Sequence, residues 1–234
     1  MSLRIITFLF ISFLSASSYA GKTVVLVHGY LGDASSWYNH GIVAALQGYD
    51  TYTVNLPSEA PLVVQAQYLD GYLRDIKAKH PQNSLVLIGH SAGGIVARLV
   101  MVRSGIAIQG LITISSPHLG TDKAELGYKI SNSPLAWVAP FLGLNTINRS
   151  KDLYRDLSRE HPSSLIFWLN RQPHPQAFYA SIVRVKGDKW VAPYSQDLND
   201  VPALHGLATT ITSVGTHFLQ PADGAVLVDL LRNM

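Results

Sequence analysis

A serine flanked by glycines, Gly89-His90-Ser91-Ala92-Gly93, sits where the apolar run SLVLIGH (84–90) gives way to a helical pattern. A serine hydroxyl is a weak nucleophile near neutral pH, so chemistry at Ser91 needs a base and a third group to orient that base. The spacing G-x-S-x-G is met by chance in roughly one chain in ten of this length, at ordinary glycine and serine frequencies. Its position between strand and helix is what gives it meaning. A sharp turn there lifts the serine out of the sheet in a strained backbone conformation, and side chains at 89 and 93 would collide with the adjacent strand and helix. The helix that begins behind Ser91 also favours negative charge in front of it.

In strand–turn–helix sites of this kind the partners follow in the order serine, acid, histidine. Among the downstream histidines, His217 comes after the last strand pattern through the short turn SVGTH and before the final helix. That places it at the carboxyl edge of a sheet, where ligands of open α/β sheets gather. His205 precedes the same strand and belongs at the opposite end, the weaker candidate. Of the acids between Ser91 and His217, Asp188 alone directly follows a strand pattern, ASIVRVKGD. Asp197 and Asp200, in the loop SQDLND, are the substitutes if that strand ends elsewhere; otherwise they cap a turn. The oxyanion of a tetrahedral intermediate needs backbone donors. The candidates are the amides of Ala92, directly after Ser91, and of Tyr30, in the first strand-to-helix loop His28-Gly29-Tyr30-Leu31-Gly32. The Tyr30 ring borders an acyl pocket or covers the core. His28 reads as a structural hydrogen-bonding residue, because its place in chain order is wrong for the base.

The elements that would position these groups alternate. Strand patterns at 22–29, 51–57, 84–90, 108–117, 180–187 and 208–215 are interleaved with helical patterns at Ser36–Leu46, Leu62–Lys79, Gly93–Arg103 and Gly224–Asn233. Several strands are apolar at successive positions, as strands covered on both faces are. The expected fold is therefore α/β, a mostly parallel central sheet with helices on both faces and right-handed crossovers. Residues 119–176 break the rhythm and read as a cap or lid-like insertion over one end of the sheet.

Composition narrows the function classes. The chain of 234 residues is 14% charged and contains no cysteine, which excludes disulfides, thiolate metal sites and a cysteine nucleophile. Arg4, the apolar run Ile5–Leu14 and the small stretch SASSYA, with Ser18 and Ala20 at −3 and −1, read as a secretory signal over residues 1–20. Ten apolar residues are too few to span a bilayer as a helix. The expected mature protein is then one domain, 21–234, exported to a periplasm or the medium. With 17 basic and 15 acidic residues left and no basic run, nucleic acid is an unfavoured partner.

VVLVHGYLGDASSW, GHSAGGIVARL, ITISSPHLGT, GDKWVAP and the late VGTH together resemble the motif set of secreted bacterial lipases and esterases of the α/β-hydrolase superfamily. The resemblance is strong over 22–121, serviceable over 180–232 and weak in the insertion. It implies Ser91, Asp188 and His217 as the triad, Tyr30 and Ala92 as oxyanion donors, and a stretch including His118 at the site's rim. It also implies hydrolysis of carboxylic esters, with a lipid-like acyl group, transient contact with a lipid surface, and no cofactor or metal. The chain departs from the larger lipases in being short, lacking their disulfide and showing no pair of calcium-binding aspartates. Acyl transfer or thioester cleavage would use the same triad. A non-catalytic binding protein on this fold is a remote alternative, since all three triad positions are filled. Within the insertion, PLAWVAPFLGLNTI (134–147) is uncharged. Its Trp137 and Phe141 form either a packed core helix or an apolar wall above Ser91 that binds substrate; Pro140 argues against a long regular helix.

Overall fold

The computed structural model describes residues 21–138, 145–159 and 162–234. The segment read as an export signal and Phe141 lie outside the described residues. The chain opens with β1 (Lys22–Val27), two short helices α1 (Ser35–Asn39) and α2 (Ile42–Ala45), and the edge strand β2 (Asp50–Val54). Helix α3 (Leu62–Lys79), β3 (Ser84–His90), α4 (Ala92–Arg103) and β4 (Ile108–Ile114) follow. Among its described residues the insertion forms five helices: α5 (Asp122–Ser131), α6 (Leu135–Val138), α7 (Asn145–Arg149), α8 (Lys151–Leu157) and α9 (Leu165–Leu169). Then come β5 (Phe178–Lys186), α10 (Pro193–Gln196), two 3₁₀ turns, β6 (Ala208–Val214) and α11 (Pro221–Arg232).

All six strands run parallel in the order β2-β1-β3-β4-β5-β6. The six β-branched runs of the sequence are these strands. The expected helix Ser36–Leu46 is instead two pieces, because Gly41 between them takes a left-handed φ of 71°.

Parallel strands buried on both faces sort their side chains by alternation. Along β1, Val25 and Val27 join the core beneath α3 and α4, whereas Val24 and Leu26 join the core on the other face. The second core is closed by Trp37 and Ile42 from the first two helices and by Leu227 and Leu231 of α11. The insertion belongs to the first. Leu153 and Leu157 of α8 and Ile166 and Leu169 of α9 are buried in the α3–α4 core.

Polar bonds fix the insertion further. The Asp156 carboxylate accepts the Leu62 amide at 3.0 Å and so caps α3, whose own N-cap is Pro61. Burial pushes the Asp156 carboxyl above its ordinary range, against the pull of the Leu62 amide and Arg155. Arg149 of α7 meets Glu59 at 2.6 Å.

Strands β1 and β3 are neighbours, but the chain leaves β1 toward β2 and leaves β3 toward β4. The loops that follow them diverge, and on this architecture a site is expected at the carboxyl edge between them.

Candidate active site

Ser91 stands at the end of β3 with φ 53° and ψ −128°, outside the regions a non-glycine residue ordinarily occupies. Three constraints hold it there. Its amide donates to Ile114 O at 2.9 Å, and its carbonyl accepts from Gly94 N at 3.1 Å. The turn is also too tight for side chains beside it. A Cβ on Gly89 would press into the Gly93–Gly94 backbone of α4, and one on Gly93 into the carbonyls of Val27 and His28. The collisions with strand and helix expected from the motif are both present, and it is Gly89 that meets the helix and Gly93 that meets the strand.

The His217 Nε2 lies 2.8 Å from Ser91 Oγ, across 126 residues of sequence. Its Nδ1 lies 2.8 Å from Asp188 Oδ2. A carboxylate can only accept, so Nδ1 carries the proton and Nε2 is the acceptor for the serine hydroxyl. The Asp188 side chain is fully buried, and His217 is 11% exposed.

Strands β5 and β6 bring this pair together. Gly187, in the φ 103° conformation, packs on Gly215, and Gly215 N donates to Lys186 O at 2.9 Å. The residues just after each strand thus face one another. Asp188 Oδ1 accepts the amides of Trp190 at 2.8 Å and Val191 at 3.0 Å. Gln196 Nε2 donates to Oδ2 at 3.1 Å. Burial raises the Asp188 pKa, but the bonds from His217 and from the Val191 and Trp190 amides outweigh it, and the net shift is downward.

Two turns carry the amides expected to receive an oxyanion. Ala92 is the first residue of α4, where an amide has no intrahelical acceptor. Gly29 runs against the serine: a Cβ there would sit 2.8 Å from Ser91 Cβ and 3.3 Å from its Oγ. The turn is closed by Gly32 N donating to Gly29 O at 3.1 Å, with Tyr30 and Leu31 at its centre. The Tyr30 ring packs on the core, and its hydroxyl meets that of Tyr154 of α8 at 2.7 Å. His28 is a structural residue, as its chain position suggested. Its Nδ1–H donates to Gly29 O at 3.0 Å and its Nε2 accepts the Leu56 amide at 2.9 Å.

The rival acid and base lie elsewhere. Asp197 accepts Asn199 N and the Thr210 hydroxyl, each at 2.9 Å, which is turn capping. His205 is exposed ahead of β6 and bonded to Asn199 O.

His118 is a correction. It does not line the rim but is completely buried. Its Nδ1 accepts from Arg98 at 3.2 Å and its Nε2–H donates to Thr113 Oγ1 at 3.1 Å. Burial first, and Arg98 second, hold its imidazole well below the ordinary value, so it is a neutral packing residue. Trp137 is 84% exposed on α6 and is no part of a packed core.

Three features escaped the sequence reading. Gln196 is fully buried and ties Asp188 to the Arg184 amide and the Val191 carbonyl. In its loop, SQDLND, only the carboxylates stand out by residue type. Leu31 takes a left-handed φ of 54° beside Tyr30, which nothing in its residue type signals. His90 Nε2 lies 2.8 Å from the His217 carbonyl oxygen, a contact created by the fold.

The chain belongs to the alpha/beta hydrolase family, whose model matches residues 24–229. It is 31% identical over 124 residues to a triacylglycerol lipase of Burkholderia plantarii, an alignment spanning 47% of this chain and 34% of that protein. It is likewise 31% identical over 123 residues to a triacylglycerol lipase of Pseudarthrobacter phenanthrenivorans, covering 47% of this chain and 38% of the relative. The chain thus spans little more than a third of the length of these two relatives. Among solved structures, the mature form of a Bacillus licheniformis lipase superposes with a TM-score of 0.62 at 20% identity, covering 91% of this chain and 93% of that one. At that identity the likeness is one of fold.

Proposed function

We propose that this protein is a serine hydrolase that cleaves carboxylic esters, with a lipid-like acyl group, through an acyl-enzyme. The observation that carries the reading is the unbroken line Asp188 Oδ2–His217–Ser91 Oγ, with 2.8 Å at each joint. As Ser91 Oγ attacks the ester carbonyl, its proton passes to His217 Nε2, and Asp188 stabilises the imidazolium that forms. The negative charge on the former carbonyl oxygen is received by the amides of Ala92 and Tyr30. His217 returns the proton to the departing alkoxide, which leaves as the alcohol. Water then enters, gives a proton to His217 and attacks the acyl carbon. Collapse of that intermediate releases the acid and restores the Ser91 hydroxyl.

An apolar acyl group is favoured by the surface around the triad. Phe218, next to His217, Leu31, next to Tyr30, and Trp190, two residues past Asp188, are all more than half exposed. The triacylglycerol lipase relatives support the same substrate class. Residues 1–20 serve in this reading as an export signal, which amino-terminal sequencing of the secreted protein tests.

The function is tested with nitrophenyl esters of increasing acyl length. Turnover that rises from acetyl to medium chains supports it. A protein inert on every ester but active on acyl thioesters would redirect the reading to a thioesterase.

A further inference from the structure

We propose that His90 is a positioning residue for the base, holding the His217 main chain through a hydrogen bond from its Nε2–H to the His217 carbonyl oxygen. The proposal rests on the hydrolase reading above, because it assigns His217 the proton transfer.

The bond is 2.8 Å long, and the two imidazoles pack at 5.3 Å between centroids with 48° between their planes. A carbonyl oxygen can only accept, so the proton of His90 must be on Nε2. Burial, together with the nearby His217 and Arg184, pushes the His90 pKa down to about 3, so the ring is a neutral single donor wherever the enzyme would work.

The segment that carries the base needs such a tether. It runs from β6 to α11 and is anchored at both ends. Gly215 N is bonded to Lys186 O, and Gln220 and Asp223 form a reciprocal capping box at the start of α11. Between those anchors, among the described residues, the bond from His90 is the one that holds the main chain of 216–219.

His90 is also the last residue of β3, paired with Ile114 and directly before Ser91. One strand end therefore sets the nucleophile through its backbone and the base through a side chain. A shift of the sheet edge would carry both together and keep their 2.8 Å contact. Displacement of a reacting group by about 1 Å can cost on the order of 100-fold in rate.

The experiment compares His90→Leu and His90→Gln with the wild-type protein on a nitrophenyl ester. The Gln amide nitrogen stands near the place of the imidazole Nε2, whereas Leu offers no donor. His90→Leu is expected to lower kcat by roughly 10- to 100-fold with KM nearly unchanged, and His90→Gln to restore most of the loss. The Nδ1 proton resonance of His217, in bond to Asp188, should weaken or vanish in His90→Leu and return in His90→Gln. This signal does not depend on turnover. Wild-type kcat and an intact resonance in His90→Leu would overturn the proposal. So would equal losses in both variants accompanied by a lowered Tm, the mark of mere packing. If the wild-type protein neither turns over esters nor takes a serine-directed phosphonate, the hydrolase reading itself falls, and the positioning role with it.

Discussion

Asp188 gives Oδ2 to His217 at 2.8 Å and reserves Oδ1 for the amides of Trp190 and Val191. The carboxylate is thus fixed by acceptor bonds on both oxygens, and it dictates the histidine tautomer. In Asp188→Asn only one side-chain oxygen remains, and the amide end meets donors. The favoured histidine tautomer then reverses and points an N–H at Ser91. The variant should fold and lose about 10⁴-fold in kcat. Asp197→Asn should keep wild-type kcat, because Asp197 is occupied with Asn199 and Thr210. If Asp197→Asn were the damaging change, the acid would be misassigned.

The same bonds give Asp188 a pH signature in stability. Its pKa in the folded protein lies below the unfolded value of about 3.9. A depressed carboxyl stabilises the fold above the unfolded pKa, and that contribution disappears as pH falls through the folded pKa. The difference in Tm between wild type and Asp188→Asn should therefore be flat near neutrality and shift toward Asn only in acid. A difference that stayed flat into acid would contradict the depressed carboxyl.

The elbow glycines were legible in the sequence because a local turn imposes its own steric rule. The structure gives that rule a partner: Gly93 faces the carbonyls of Val27 and His28, backbone that cannot swing aside. Gly93→Ala should lower stability by about 1–3 kcal/mol or more, measured by urea unfolding. An alanine variant as stable as wild type would show that the elbow has slack.

What the sequence could carry follows from range. The six strands and the order Ser91, Asp188, His217 were readable because β-branched runs and strand ends are local. Gly41 split an expected helix because glycine enters the left-handed region without steric penalty, and its type alone does not say whether it will. His118 lies inside and off the rim because tertiary packing brings Arg98, Thr113 and Asn170 around it, which its local sequence does not show. Gln196 and His90 were invisible for the same reason. Each acts on a residue placed beside it by the sheet, and no spacing in the chain announces that.

Arg184 and Asp223 form an ion pair at 2.6 Å with 1% and 3% side-chain exposure, joining β5 to the start of α11. Removing one partner strands the other charge in the interior. Arg184→Met should cost about 3–5 kcal/mol. Adding Asp223→Asn should recover part of it, since the Asn oxygen can still accept the Gln220 amide. Additive losses in a double-mutant cycle would mean the pair is uncoupled.

Trp137, 84% exposed, tests the apolar wall. Trp137→Ala should leave stability within about 0.5 kcal/mol of wild type. An apolar wall contributes about 0.8 kcal/mol per buried CH₂, roughly fourfold in kcat/KM per methylene until the surface is filled. The variant should flatten that rise from acetate to octanoate and leave acetate turnover within a few-fold, and Phe141→Ala should do the same. Equal loss on both esters would place these side chains outside substrate binding.

In the proposed mechanism Ser91 forms the acyl-enzyme, and covalent labelling reads it directly. A serine-directed phosphonate incubated with the wild-type protein, followed by mass measurement and peptide mapping, should add one group, at Ser91. Ser91→Ala, folded by circular dichroism, should take none and lose on the order of 10⁴-fold or more of the esterase rate. Label on another residue, or robust turnover by the alanine variant, would contradict the account.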